Sequence, residues 1–88
     1  MYYVYFMKSQ KNGKVYVGST EKEPQDRVRE HNQGSNTWSK YNGPFILKYF
    51  EKYHCKRDVL NRESFYKTGI GKQVKYAIVE KININIGD

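Results

Sequence analysis

The stretch YYVYFMKSQKNGKVYVGST, residues 2–20, restricts the fold more than any other part of the chain. Two runs of aromatic and β-branched residues flank the pair Asn12-Gly13. Such runs favour extended backbone, because rings and branched side chains pack well on a pleated surface. Asn-Gly marks a tight hairpin turn, whose central residues need positive φ. Residues 1–8 and 14–18 are therefore predicted to pair as antiparallel strands joined by SQKNG (9–13). That pairing brings Tyr5 and Tyr16 to the same region of the sheet. A slip of one residue would turn one ring to the opposite face. Gly18 reads as the residue that breaks the second strand.

Downstream, STEKEPQDRVREHNQG (19–34) reads as a cap, a helix and a stop. Thr20 with Glu23 resembles a capping box, Pro24 suits a first turn, and Gly34 closes the helix. Val28 is its only large apolar residue, so this helix lies at the surface or borders a polar cleft. SNTWSKYNGP (35–44) reads as a polar loop carrying Trp38 and Tyr41, and FILKYFEKY (45–53) as a third strand. KRDVLNRESFYKTGI (56–70) is predicted as a helix with Val59, Leu60 and Phe65 or Tyr66 facing inward. KQVKYAIVEKI (72–82) is a last helical segment. ININI (82–86) alternates as a short edge strand or a frayed end. The order β-β-α-β-α-α gives an α+β domain, a small three-stranded and mostly antiparallel sheet flanked by helices. A single domain over residues 1–88 is expected, with its core in about 1–80 and a frayed tail at 81–88.

Sixteen Lys and Arg against nine Asp and Glu give a net charge of +7 on 88 residues. So strong a positive field on so small a surface favours a polyanionic partner such as nucleic acid. The lone cysteine, Cys55, cannot form an internal disulfide, and two histidines do not make a zinc cluster. A reducing, cytoplasmic setting fits this usage. No apolar run is long enough to span a membrane, and the first residues lack the layout of a signal peptide.

Arg27 and His31 are four apart, hence on one face of the first predicted helix. A cation beside a proton-transferring group suits a site that holds a phosphate and moves a proton. Read alone, the pair is two solvated residues. Glu63 shares a stripe with Val59 and Tyr66, so its carboxylate sits among inward residues. It is either paired with an arginine such as Arg57 or Arg62, or it is a ligand for a hard cation such as Mg²⁺. Tyr5 and Tyr16 are core fillers or hydroxyls that bind water or phosphate. Two tyrosines, an arginine, a histidine and a lone carboxylate in a basic protein suit metal-assisted hydrolysis of a phosphodiester.

These residues resemble a known family. YVY (3–5) followed by YVG (16–18) resembles the paired signature of the GIY-YIG nucleases. RVREH (27–31) with NQG after it, and NRESFYK (61–67), resemble that family's later motifs. The similarity runs from Tyr2 to about Lys72. It is to the small stand-alone bacterial members, which are similar to the N-terminal incision domain of the excision-repair endonuclease. The resemblance implies catalytic roles for Tyr5, Tyr16, Arg27 and His31. Tyr16 would be the general base or would orient the attacking water, Tyr5 would position that water or hold a phosphate oxygen, and Arg27 would hold the scissile phosphate. His31 would assist proton transfer with Tyr16. Glu63 would be the sole protein ligand of one Mg²⁺ or Mn²⁺. Where the repair enzyme has a lysine just past its second signature, this chain has Ser19.

The expected function is a divalent-metal-dependent endonuclease hydrolysing DNA, in repair or recombination. The alternative is a catalytically silent nucleic-acid-binding module of the same fold. Nucleic-acid contacts are expected from Ser19, Lys22, Arg29, Trp38, Lys40 and Tyr41, since exposed aromatics stack on unpaired bases and cations bind phosphates. Trp38 and Tyr41 can equally plug a core. DNA is the expected partner, with RNA open, and a protein partner could supply specificity.

Overall fold

The computed structural model describes the backbone of residues 1–87 and the side chains of residues 1–82. Strands β1 (Tyr2–Ser9), β2 (Val15–Thr20) and β3 (Phe45–Tyr53) form one antiparallel sheet in the order β2-β1-β3. Helices α1 (Pro24–Asn32) and α2 (Thr37–Asn42) precede β3, and α3 (Lys56–Tyr66) and α4 (Gly69–Gly87) follow it. The α+β architecture agrees with the sequence, with α2 as an additional helix. The reading of ININI (82–86) as an edge strand or frayed end is corrected: its backbone continues α4, which runs unbroken to Gly87.

The central strand explains the unbroken aromatic run. Tyr3, Val4, Tyr5, Phe6 and Met7 are all buried, because β1 is paired on both edges and covered on both faces. On one face Val4 and Phe6 join Val15, Val59, Tyr66 and Val79, under α3 and α4. Phe6 meets Tyr66 edge to face at 4.8 Å, an arrangement worth about 1 kcal/mol beyond the area it buries. On the other face Tyr5 and Met7 join Val28 and Phe45, against α1.

Strand β3 contributes to both faces by means of a register shift. Phe6 pairs with Tyr49 but Met7 pairs with Leu47, which leaves Lys48 as the extra residue of a bulge. Phe45 and Leu47 therefore pack on the α1 face, while Tyr49 and Tyr53 pack under α3. Strict alternation along FILKYFEKY would have placed all four on one side.

Several local readings are corrected. The hairpin loop is wider than a two-residue turn: Ser9 N donates to Lys14 O at 2.9 Å, and Gly13, at φ 75°, donates its N–H to Ser9 O at 2.9 Å. Thr20 does not cap α1. Its hydroxyl accepts from Lys22 N at 3.0 Å, and Glu23 is the capping residue with Pro24 next. Residues 37–42 are helical because the Asn36 side chain accepts from Ser39 N at 2.8 Å, a side-chain cap on a helix too short to show a hydrophobic period. Leu60 is exposed, not inward, and Val59 and Tyr66 fill the core.

Gly18 does not break β2, which runs on to Thr20. It faces Tyr5 across the sheet. A β-carbon there would meet the Tyr5 hydroxyl oxygen at 2.5 Å and the ring carbon bearing it at 2.6 Å. The glycine is there so that the Tyr5 ring can lie over the strand.

Candidate active site

Because β2 is an edge strand, it is where the two faces of the sheet meet. Tyr16 and Gly18 sit opposite Met7 and Tyr5 on the α1 face, and Val15, Val17 and Ser19 sit opposite Lys8, Phe6 and Val4 on the α3 face. A cleft of about 490 Å³ wraps this edge. It is lined by Tyr5, Tyr16, Ser19, Arg27, His31 and Glu63, with Trp38 at one side and Lys67, Lys72 and Lys75 at the other. The five residues singled out for chemistry thus come together from β1, β2, α1 and α3.

Their hydrogen bonds give each a defined state. The Tyr5 hydroxyl and His31 Nε2 share a buried hydrogen bond of 3.1 Å, and His31 Nδ1 lies 2.6 Å from Ser39 Oγ. Burial pushes the Tyr5 phenol above its usual pKa, with Arg27 pulling the other way. Burial and Arg27 both push the His31 imidazole below its usual value. At neutral pH the pair is therefore an uncharged phenol and an uncharged imidazole. The Tyr16 hydroxyl accepts from Asn12 Nδ2 at 3.0 Å and donates to Asn42 Oδ1 at 3.5 Å. Trp38 meets the Tyr16 ring edge-on at 4.8 Å and stacks on Phe45 at 5.6 Å.

Arg27 pairs with Glu30 at 2.9 Å, and Glu30 also takes Lys22. Glu63 accepts from Ser19 Oγ at 2.8 Å and pairs with Lys67 at 3.2 Å. The arginine partners suggested by sequence are not used. Arg62 pairs with Glu51 on β3, whose carboxylate also accepts from the hydroxyls of Tyr49, Tyr53 and Tyr66.

The remaining expected contact residues lie outside the cleft. Lys22, in the bend before α1, and Arg29, on α1, are exposed, the latter paired with Asp26 at 3.1 Å. Lys40 lines a separate surface pocket with Asn32 and Gly34. Tyr41 is exposed, and its carbonyl accepts from Lys11 Nζ at 2.8 Å. Sequence reasoning missed Asn12, Asn42 and Ser39 as partners of the tyrosine and histidine. It also missed the lysines of the α3–α4 side. The first three were legible only as turn and loop residues.

The family model for the GIY-YIG catalytic domain matches residues 1–77. The chain belongs to the GIY-YIG family. No curated protein and no solved structure matches it. GIY-YIG proteins form a nuclease-type family acting on nucleic acid, and in this member the paired signature is the β1–β2 hairpin. Among the described residues no group of three or more His, Cys, Asp or Glu side chains is placed to hold a metal. No helix among them is long and apolar enough to cross a membrane.

Glu63 nonetheless fits a particular kind of cation. Its side chain is only 20% exposed, opens on the cleft, and is held by one hydroxyl and one ammonium. Mg²⁺ keeps several waters and is commonly bound through one or two carboxylates plus substrate phosphate oxygens. A single carboxylate that shares a cleft with an arginine matches that pattern. A zinc-type cage does not.

Proposed function

We propose that this GIY-YIG protein is a divalent-metal-dependent endonuclease that hydrolyses phosphodiester bonds in DNA, with repair or recombination as its setting. The observation that supports this reading is the meeting of Tyr5, Tyr16, Arg27, His31 and Glu63 on one cleft. A silent binding module would have no use for a neutral phenol–imidazole pair or for a carboxylate opening on the substrate side.

In this reading Arg27 binds a non-bridging oxygen of the scissile phosphate and offsets charge that builds there during attack. The Tyr16 hydroxyl, fixed by Asn12 and Asn42, orients the attacking water. That water passes a proton to the Tyr5 oxygen as the Tyr5 proton moves to His31 Nε2. The tautomer that allows this donates Nδ1–H to Ser39. Neutral imidazole is the acceptor, because burial makes Tyr5 ionise less readily than an ordinary phenol, while burial and Arg27 keep His31 unprotonated and its Nε2 lone pair free at neutral pH. The water oxygen forms a bond to phosphorus, and the bond from phosphorus to the leaving oxygen breaks. Glu63 would hold Mg²⁺ or Mn²⁺, which when bound stabilises the leaving oxygen as a Lewis acid. Ser19 and Lys67 keep that carboxylate aimed at the cleft. Trp38, half exposed beside Tyr16, offers a ring on which an unpaired base can stack.

The test is a cleavage panel over duplex, branched and single-stranded DNA and RNA with Mg²⁺ or Mn²⁺. Wild type should cut at least one DNA form, and Glu63→Ala and Tyr16→Phe should lose cleavage while keeping binding. Failure of wild type on every form would leave the binding-module reading. In the active form, cleavage should hold as pH falls to about 6.5, the ordinary histidine value, and drop only below it, since burial keeps His31 unprotonated. An acid limb above that value would remove His31 as the acceptor.

A further inference from the structure

Lys75 is a buried cation with no counter-charge among the described residues. Its residue surface is 7% exposed, and its Nζ donates to the Val15 carbonyl at 3.0 Å. The ammonium also lies 4.8 Å from the centre of the Tyr76 ring. The charge acting on it is another cation, Lys72, and burial with that neighbour pushes its pKa down. An ammonium has three donors, and one carbonyl uses one of them. Taking such a group out of water is costly unless an anion stands close.

The ammonium does not face a closed core. Lys72 and Lys75, three apart and so on one side of α4, line the same cleft as Arg27 and Glu63. The other cations there are matched: Arg27 by Glu30 and Lys67 by Glu63. The uncompensated positive charge of the cleft is therefore concentrated on its α4 wall, with β2 between it and Arg27. A nucleic-acid backbone carries phosphates on both sides of the bond to be cut.

We propose that Lys72 and Lys75 form a second phosphate-binding subsite, which takes a backbone phosphate neighbouring the scissile one held by Arg27. The identity of the polyanion rests on the nuclease reading above. The anion site rests on the buried, unmatched ammonium.

The experiment is equilibrium binding of a fluorescent DNA oligonucleotide to the full chain in EDTA, with KCl varied, on a Glu63→Gln background. Removing one phosphate contact should lower the slope of log affinity against log salt by about 1. Lys72→Gln should give that decrease, and Lys72→Gln with Lys75→Met about twice it. Lys52→Gln, exposed on β3 outside the cleft, should leave the slope unchanged. Thermal unfolding checks the fold, and Lys75→Met should keep or raise Tm because it removes an unmatched buried charge. If that variant does not fold, Lys72→Gln and Lys72→Glu at the exposed neighbour decide the matter. Unchanged slopes overturn the subsite. So does a wild-type Tm that rises with inorganic phosphate alone while the oligonucleotide slopes stay fixed, since the site would then be one for the free anion. Unchanged slopes with intact wild-type cleavage would remove the subsite and keep the nuclease. Lowered slopes without wild-type cleavage would do the reverse.

Discussion

Glu51 accepts hydrogen bonds from Tyr49, Tyr53, Arg62 and Tyr66, whereas Glu63, one residue beyond Arg62, accepts among the described residues from Ser19 and Lys67 alone. Glu63 is on α3 and Glu51 faces α3 from β3, and both are largely buried at the side chain, Glu51 at 12% and Glu63 at 20% exposure. The difference is in what remains of their lone pairs. Burial raises the Glu51 carboxyl, but the Arg62, Tyr66, Tyr53 and Tyr49 hydrogen bonds outweigh it and hold it down at about 2. Nothing further can bind Glu51. Glu63 keeps lone pairs on an open side, toward the cleft. A carboxylate that fastens a helix to a sheet is thus told from one that can take a cation by its hydrogen-bond partners, not by its depth.

The comparison breaks most visibly in stability. Glu51→Gln leaves Arg62 without its counter-charge, so urea unfolding should show a loss of about 3 kcal/mol. The sign of the pH effect follows from the depressed carboxyl. Its contribution is whole above the unfolded value of about 4.3 and is lost as pH falls through about 2. Acid unfolding of wild type should therefore show a loss in that window, and the variant should lack it. A change under about 1 kcal/mol would mean that the four donors do not act as a unit.

Gly18→Ala should cost less, about 2 kcal/mol, the usual range for overpacking, because the new β-carbon displaces the Tyr5 ring. It should also lower cleavage by about a hundredfold, as displacement of a positioned group by an ångström does. Unaltered cleavage with altered stability would separate Tyr5 from the chemistry. Glu63→Gln should have the smallest effect on folding, within about 0.5 kcal/mol, the worth of an exposed i,i+4 ion pair. Cleavage by the same variant should fall by about a hundredfold or more. A large loss of stability would place Glu63 in the same class as Glu51.

How far these features could be read from sequence depends on whether their causes are local. The hairpin and its paired tyrosines are local: Asn12-Gly13 between β-forming runs specifies them. Gly34 likewise stops α1 with φ 75°. The bulge at Lys48 is not local, since FILKYFEKY alternates without a break and only the packing of two opposite faces calls for a change of side. The Glu51 network is invisible for the same reason, being built by residues up to fifteen positions apart. Helix α2 had its signal, Asn36, but a six-residue helix offers no period to read. Ser19 read as a nucleic-acid contact standing where a relative has lysine, and in the fold it holds Glu63. The candidate site residues were legible because motif order carries them, while their supporting partners, Asn12, Asn42 and Ser39, come from turns and short helices whose side-chain directions depend on tertiary contact.

The position of β2 at the edge of the sheet bears on how little protein a cleft walled by two layers needs. A pocket sunk into the middle of a domain must be hollowed from the interior, and a chain of 88 residues has scarcely enough interior to fill. Folding the workspace around a rim avoids that conflict. Both packed layers stay solid, each lends a wall, and the outside border leaves room for a long polymer to enter and leave without being threaded.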